Sequence, residues 1–264
     1  MYSFTINDTS KNIKYTNNMS DIFMKKPVLG IVGGLGPSAS ALFYSMITKY
    51  TKAFCDSEHI DTIIYSVPSI PDRTDFILGK SDKNPLPEII KTIKALNKSG
   101  ADIIAIPCNT AEYFHKEIEL SSSCEVLNIV EETAKFAFFK GIKKAGILST
   151  RGTLVSKIYE KSLSKFGISF ETPDESEQEK LDILIYDKIK KGIDPEENEL
   201  SDIAKKLFER DCEYVILGCT ELSLSRDAVK EENKFIDSLM VLALSCIKKC
   251  GHDISNCPEF YITK

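Results

Sequence analysis

The chain has 264 residues, 42% of them hydrophobic and 28% charged, which suits one large or two small globular domains. Its net charge of -5 argues against a nucleic-acid-binding surface, because such surfaces usually carry an excess of lysine and arginine. No apolar run approaches the roughly 18–20 residues that a membrane span requires. We therefore expect neither nucleic acid nor a membrane among its partners.

Residues 1–24 are polar and rich in Asn, Ser, Thr and Lys. They lack the apolar stretch of about 7–15 residues that a signal peptide needs. We therefore expect a flexible N-terminal extension and a cytoplasmic protein. In that compartment we expect the eight cysteines to be free thiols rather than disulfides.

From residue 28 onward, strand and helix patterns alternate along the chain. Strands are predicted over residues 28–32, 60–67, 102–106, 125–129, 145–148, 168–170 and 214–217. Helices are predicted over residues 38–50, 86–98, 110–119, 131–140, 153–166, 181–190, 202–210 and 235–249. The acidic stretch 172–180 predicts an exposed loop. Alternation of this kind indicates an α/β fold with parallel sheets and right-handed crossovers.

Two sequence landmarks occur in both parts of the chain. The segment 30–36 (GIVGGLG) resembles 146–152 (GILSTRG), in a register that also pairs Phe43 with Tyr159. The segment ADIIAIPC, which ends at Cys108, resembles CEYVILGC, which ends at Cys219. Ligands of open α/β sheets bind beyond the carboxyl ends of the strands. Two facing halves would therefore bring both cysteines to opposite sides of one ligand, as proton transfer between two faces of a carbon requires.

Small polar residues follow both cysteines, and such residues are typical of helix N-termini. Backbone N–H groups at a helix N-terminus favour a thiolate and also bind carboxylates. Cysteine is equally common as a small buried apolar residue. The repeat alone therefore leaves a structural and a catalytic interpretation open.

Six motifs carry a resemblance to a known family: GIVGGLGP at 30–37, SVPSIPDRT at 66–74, PCNTAEYF at 107–114, LSTRGT at 148–153, IYDKIKKG at 185–192 and LGCTEL at 217–222. In this order they resemble the aspartate/glutamate racemase superfamily, and most closely its aspartate racemase branch. The resemblance implies two similar parallel-sheet α/β domains related by a pseudo-twofold axis, with the active site in the cleft between them. Residues 25–128 with 232–264 would form the first domain and residues 129–231 the second. It also implies a homodimer.

The resemblance further implies a cofactor-independent racemase that interconverts L- and D-aspartate, with glutamate as a further substrate and no metal. Cys108 and Cys219 would be its two acid/base groups. Arg73 would meet a substrate carboxylate, which a guanidinium binds in a bidentate manner, and Lys190 would be a second cationic contact. Contacts to the α-amino and α-carboxylate groups would come from Asn109, Thr110 and Thr220. The chain departs from many relatives at Leu35 and Glu112, where Met and His are common.

Two other functions stay open, namely a broad-specificity amino-acid racemase on the same scaffold and a non-catalytic amino-acid-binding protein. The glycine run 30–36 lacks the G-x-G-x-x-G spacing of a dinucleotide site. Near the C-terminus, the irregular spacing does not decide between zinc ligands and incidental thiols at Cys246, Cys250, His252 and Cys257.

Overall fold

The computed structural model describes residues 26–196, 198–228 and 234–262, so the predicted extension 1–24 lies outside the described residues. These residues form two four-stranded parallel sheets, with strand order β2-β1-β3-β4 in the first and β6-β5-β7-β8 in the second. The strands are β1 (Leu29–Gly33), β2 (Thr62–Ser66), β3 (Ile103–Ala105), β4 (Glu125–Leu127), β5 (Lys144–Leu148), β6 (Ser169–Glu171), β7 (Tyr214–Leu217) and β8 (Phe235–Asp237).

Helices flank both sheets. They are α1 (Pro37–Tyr50), α2 (Arg73–Ile77), α3 (Leu86–Lys98), α4 (His115–Ser121), α5 (Ile129–Phe139), α6 (Arg151–Ser156), α7 (Ile158–Lys165), α8 (Glu175–Asp182), α9 (Glu199–Phe208) and α10 (Ser238–Lys249). None of these helices has the length and hydropathy that crossing a membrane requires.

The two sheets have the same topology, which confirms the predicted α/β class with two similar parallel-sheet halves. In each half the first strand is flanked by the second and the third, as parallel strands joined by helical crossovers allow. β1 is buried along its whole length, and so are β3 and most of β7. The continuous apolar runs of these strands follow from the helices that cover the sheets.

A buried apolar cluster continues from one half to the other. It includes Phe43 and Ile47 of α1, much of α10, and Ile147 and Leu163 of the second half. α10 packs against both α1 and α5, while β8, directly before it, pairs with β7 of the second sheet. Thus β8 is not part of the first sheet, although the family resemblance places residues 232–264 in the first domain. The domain limits themselves stay a prediction.

For two of the predicted helices, the structure gives a local cause for their different limits. The helix predicted over 235–249 begins only at Ser238, because Asp237 caps it by accepting hydrogen bonds from the amides of Leu239 and Met240. The helix predicted over 153–166 is divided into α6 and α7 at Lys157, whose φ of 55° is left-handed.

The acidic stretch 172–180, predicted as an exposed loop, instead contains the first part of α8. Asp174 and Glu177 form a capping box at its start, and the buried carboxylate of Glu177 lies 2.6 Å from the guanidinium of Arg210. A cap and a long-range ion pair stabilise this helix, so its sequence shows little apolar periodicity. The chain then continues as a π-helix, Ile183–Lys188, and a 3₁₀ turn, Ile189–Lys191, where the sequence predicts a plain helix.

Candidate active site

β3 and β7 hold equivalent positions in the two sheets, and each ends shortly before a cysteine. Cys108 begins the 3₁₀ turn Asn109–Phe114, and Cys219 follows β7 at the corresponding place. Both thiols are buried, and both line the same cavity. This cavity also contacts the other residues predicted for the site, which are Arg73, Asn109, Thr110, Lys190 and Thr220. The carboxyl ends of the strands therefore place the whole predicted set in one cleft.

Arg73 supplies a fixed positive charge beside Cys108. Its buried guanidinium donates hydrogen bonds to the carbonyl oxygens of Leu35 at 2.7 Å and Pro71 at 3.1 Å, and it is close enough to the Cys108 thiol for an electrostatic interaction. Burial acts to lower the pKa of Arg73, but Cys108 and Asp72 act more strongly in sum and raise it. The guanidinium therefore stays cationic and can balance a thiolate at Cys108.

Cys219 has a carboxylate as its neighbour instead. Its thiol donates a hydrogen bond to Glu221 Oε2 at 3.0 Å. Burial raises the pKa of Cys219 well above its ordinary value, and the negative charge of Glu221 adds to this effect. At neutral pH Cys219 therefore holds its proton.

Glu221 is in turn paired with Lys190, whose Nζ lies 3.0 Å from Glu221 Oε1. Burial acts to raise the pKa of Glu221, but the Lys190 cation and the thiol donor outweigh it and lower that pKa. Burial likewise acts to lower the pKa of Lys190, while Glu221 and Cys219 raise it. Both members of the pair are therefore ionised at neutral pH, and both line the cavity on the Cys219 side.

Sequence reasoning missed Glu221 as a functional residue. It lies two positions after Cys219 in LGCTEL, at the place that Thr110 occupies in PCNTAEYF. A carboxylate at this spacing from a cysteine at a strand end was the available signal. Tyr186 and Thr150 also line the cavity and were not predicted for the site.

Lys190 reaches the cleft from the irregular helical segment that follows α8. Its ammonium group lies 5.4 Å from the ring centre of Tyr186, within cation–π range. π-helical turns are rare in proteins as a whole, but those that occur are often found at functional sites, where they change the direction of side chains. The start of this segment is held by Arg151, which is hydrogen-bonded to Asp182 at 2.5 Å.

At another wall of the cavity the two halves are in close contact through threonine hydroxyls. Thr110 Oγ1 lies 3.0 Å from the hydroxyls of Thr150 and Thr153, and Thr74 donates to Thr150 at 3.2 Å. A Cβ atom at Gly152 would lie only 2.9 Å from the Cα of Thr74. Glycine at this position therefore permits the close approach of α6 to α2.

The space between the two cysteines is small, with a volume of about 10 Å³, which is room for about one water molecule. A larger cavity of about 360 Å³ adjoins it and shares part of its wall. The shared residues are Leu35, Asp72, Arg73, Lys190 and Glu221. A ligand of amino-acid size would enter through the larger cavity, and the walls around the two sulfurs would have to separate to admit it.

The family model for Asp/Glu/hydantoin racemases matches residues 32–246, a span that includes both cysteines and both cations. The chain belongs to this racemase family. The broad specificity amino-acid racemase RacX of Bacillus subtilis (strain 168) is 30% identical over 224 residues, which are 83% of this chain and 96% of RacX.

Two solved structures of related racemases show the same fold. The aspartate racemase of Picrophilus torridus has a TM-score of 0.75 at 28% identity, covering 89% of this chain and 99% of its own. An aspartate racemase homologue from Pyrococcus horikoshii OT3 has a TM-score of 0.68 at 25% identity, covering 86% of this chain and 99% of its own. The similarity in fold thus extends over nearly the full length of both of these solved structures.

Two residues of this racemase-family chain that were predicted to bind substrate also have partners within the protein. Asn109 accepts a hydrogen bond from Tyr159 at 2.7 Å and donates one to Ser238 at 3.0 Å. Thr220 donates to the carbonyl oxygen of Pro107 at 3.2 Å. These bonds hold the segment around Cys108 to elements of the second half, and the predicted contacts with substrate stay a prediction.

In the described part of this racemase-family chain, no three His, Cys, Asp or Glu side chains are grouped as metal ligands would be. The C-terminal cysteines and His252 therefore do not form such a group. Cys246 and Cys250 are buried in α10 and at its end, where they pack as small apolar side chains.

Proposed function

We propose that the chain is a cofactor-independent aspartate racemase in which Cys108 and Cys219 act on opposite faces of the substrate α-carbon. The observation that carries this proposal is the pair of thiols in one cavity, with Arg73 beside one and Glu221 beside the other. Proton transfer to and from carbon needs one group that is deprotonated and one that is protonated. Burial and Glu221 keep the Cys219 thiol protonated, and the Arg73 cation is placed to balance the negative charge that this mechanism assigns to Cys108.

In one direction, the Cys108 thiolate removes the α-proton. The Cα–H bond breaks, an S–H bond forms, and the electron pair is delocalised into the α-carboxylate. The Cys219 thiol then gives its proton to the other face of the carbon and becomes a thiolate near Lys190. In the reverse direction the two sulfurs exchange roles. Exclusion of water and nearby donors stabilise the negative charge of the intermediate.

Two cations of the cleft suit an acidic amino acid, although Asp72 and Glu221 line the same walls and Lys190 is already paired with Glu221. Arg73 and Lys190 line both the narrow cavity between the sulfurs and the larger cavity beside it. A dicarboxylic substrate offers one carboxylate to hydroxyl and amide donors and a second carboxylate to these cations. Aspartate fits this division because its two carboxylates are separated by only one methylene group.

The test is the conversion of L-aspartate to D-aspartate by the purified protein without added cofactor, followed by chiral chromatography. Cys108→Ala and Cys219→Ala are each expected to lower kcat by at least about a thousandfold, because neither thiol has a substitute. Cys124→Ala serves as the matched control, since Cys124 lies outside the cavity. Full activity in either cleft variant would overturn the two-thiol mechanism.

The larger cavity favours a second candidate, a racemase of broader specificity. Its volume of about 360 Å³ exceeds what a side chain as short as that of aspartate fills, and Ile70, Ile189 and Leu224 give it apolar walls. RacX, which is similar over most of the chain, is itself a broad specificity amino-acid racemase. A panel of L-amino acids separates the two candidates: comparable kcat/KM for long uncharged side chains favours the second, and a preference for aspartate above about a hundredfold favours the first.

A further inference from the structure

Tyr159 of α7 is a buried residue of the second half that reaches into the first half. Its ring is 2% exposed, and its hydroxyl donates a hydrogen bond to Asn109 Oδ1 at 2.7 Å. Burial raises the pKa of Tyr159 far above its ordinary value, so the hydroxyl keeps its proton. Tyr159 is therefore a permanent donor to the residue that directly follows Cys108.

The hydrogen-bond chain continues from Asn109 towards the other cysteine. Asn109 Nδ2 donates to Ser238 Oγ at 3.0 Å, and Ser238 Oγ donates to the carbonyl oxygen of Leu217 at 2.7 Å. Leu217 is the last residue of β7, two positions before Cys219. Each group donates to the next, so the orientation of the Asn109 amide is determined by its partners. The chain joins the segment that carries one sulfur to the strand that carries the other.

The duplicated fold places a ring without a hydroxyl at the equivalent position of the first half. The position of Tyr159 in the second half corresponds to Phe43 in the first, where a fully buried ring without a hydroxyl serves the same core. The aromatic ring is thus common to both halves, and the hydroxyl is an addition in the half that faces Asn109. A buried hydroxyl is expected to have such a partner, because leaving it without one is unfavourable.

We propose that Tyr159 is a positioning residue, which acts through Asn109 and Ser238 to hold the two cysteine-bearing segments at the separation that inversion requires. The proposal rests on the two-thiol racemisation proposed above. A change in this separation affects the second proton transfer more than the first. Once the Cys108 thiolate has removed the α-proton, inversion needs the Cys219 thiol in line on the other face, while return of a proton to the original face does not.

The ratio of inversion to α-hydrogen exchange in deuterium oxide measures this coupling. Every inversion delivers a solvent-derived deuteron to the α-carbon, whereas return to the original face after exchange at the sulfur gives exchange without inversion. Tyr159→Phe is expected to lower the rate of inversion by about tenfold or more, the scale on which small misplacements of reacting groups act. Exchange should fall much less, so the ratio should drop severalfold.

The ratio is independent of how much of the sample is folded, because both rates come from the same active molecules. Tyr50→Phe is the matched control, since Tyr50 is buried in α1 and does not line the cysteine cavity. An unchanged ratio in Tyr159→Phe, with an active wild type, overturns the proposal. Equal falls in both rates show a general structural role and overturn it as well.

Ser238→Ala tests the next link of the same chain. If Tyr159 and Ser238 act through Asn109, the two variants should lower the ratio in the same direction, and the double variant should be little worse than either single one. Multiplicative effects in the double variant contradict a shared route. If the wild-type protein racemises none of the L-amino acids in the panel, the proposed function and this inference both fail. If the wild type is active and the ratio is unchanged in Tyr159→Phe, only this inference fails.

Discussion

The regions around Cys108 and Cys219 occupy equivalent places in two copies of one fold, yet their charges are opposite. Cys108 lies beside the buried guanidinium of Arg73, and Cys219 donates a hydrogen bond to the carboxylate of Glu221. The residue that corresponds to Glu221 in the first half is Thr110, which has no charge. Duplication can thus supply two thiols at matching strand ends, while a change at one neighbouring position gives the two thiols neighbours of different charge.

This difference has a consequence for a reaction that needs one acid and one base. In two identical environments, the two thiols would compete equally for one proton. Here burial, together with the Glu221 carboxylate, retains the proton on Cys219, and the guanidinium is placed to balance a negative charge at Cys108. The unequal neighbours therefore distinguish the two thiols of the proposed racemase.

Removal of the Arg73 charge should have the largest effect on this asymmetry. We expect Arg73→Met to lower kcat/KM for aspartate by about 10²–10³-fold, since it removes a buried cation beside both Cys108 and the proposed substrate carboxylate. Steady-state kinetics with chiral analysis of the product measures this fall in kcat/KM. Arg73→Lys is the control: it keeps the charge but not the fork geometry, so its loss should be smaller. A loss below threefold in Arg73→Met would show that this cation is not needed.

Neutralising Glu221 should shift the pH dependence. Burial is the first cause of the raised pKa of Cys219 and the charge of Glu221 is the second, so Glu221→Gln should lower that pKa while burial keeps part of the shift. Activity that needs the protonated Cys219 thiol is present below its pKa and is lost as the pH rises through it. We therefore expect the alkaline limb of kcat/KM to move to lower pH, with a fall of about tenfold in rate.

The pH profile of kcat/KM between pH 6 and 10.5 makes this measurement. Glu112→Gln is the matched control, because Glu112 is a buried carboxylate that pairs with His115 and does not line the cysteine cavity. A shift of the alkaline limb in the opposite direction would mean that Glu221 does not hold the proton of Cys219.

The smallest effects are expected for alanine substitutions at Gly36 and Gly152, the two equivalent glycines of the repeat. The two substitutions should differ in what they change. A Cβ at Gly152 would meet the backbone of Thr74 at 2.9 Å, so Gly152→Ala should lower the free energy of unfolding by about 1–3 kcal/mol, partly offset by the helix preference of alanine. At Gly36 the contact is the end of the Glu221 side chain at 2.7 Å, which can move. Gly36→Ala should therefore reduce activity severalfold with little effect on Tm.

Thermal unfolding and kinetics on both variants test this pair. The comparison is contradicted if Gly36→Ala is the less stable of the two, or if Gly152→Ala loses more activity per folded molecule.

Local patterns predicted most of the strands and the longer regular helices, because buried strands and amphipathic helices have their own periodicities. They failed where stabilisation comes from elsewhere in the chain. α8 looks like a solvated acidic loop because its support is a capping box and the ion pair of Glu177 with Arg210. β8 was predicted as the start of a helix because its apolar residues come directly before those of α10 and continue the apolar pattern of that helix.

The amino-acid sequence by itself determined the α/β class, the repeated strand ends and the two cysteines with their polar neighbours, since each is a short-range pattern or a motif. Only the tertiary structure decided that Lys190 pairs with Glu221, that Glu221 accepts a hydrogen bond from the Cys219 thiol, and that Asn109 lies between Tyr159 and Ser238. These contacts depend on where backbone segments meet after the helices and both sheets have packed. Except for Cys219 and Glu221, which lie two positions apart, the partners are distant in the sequence, so no local spacing encodes their contacts.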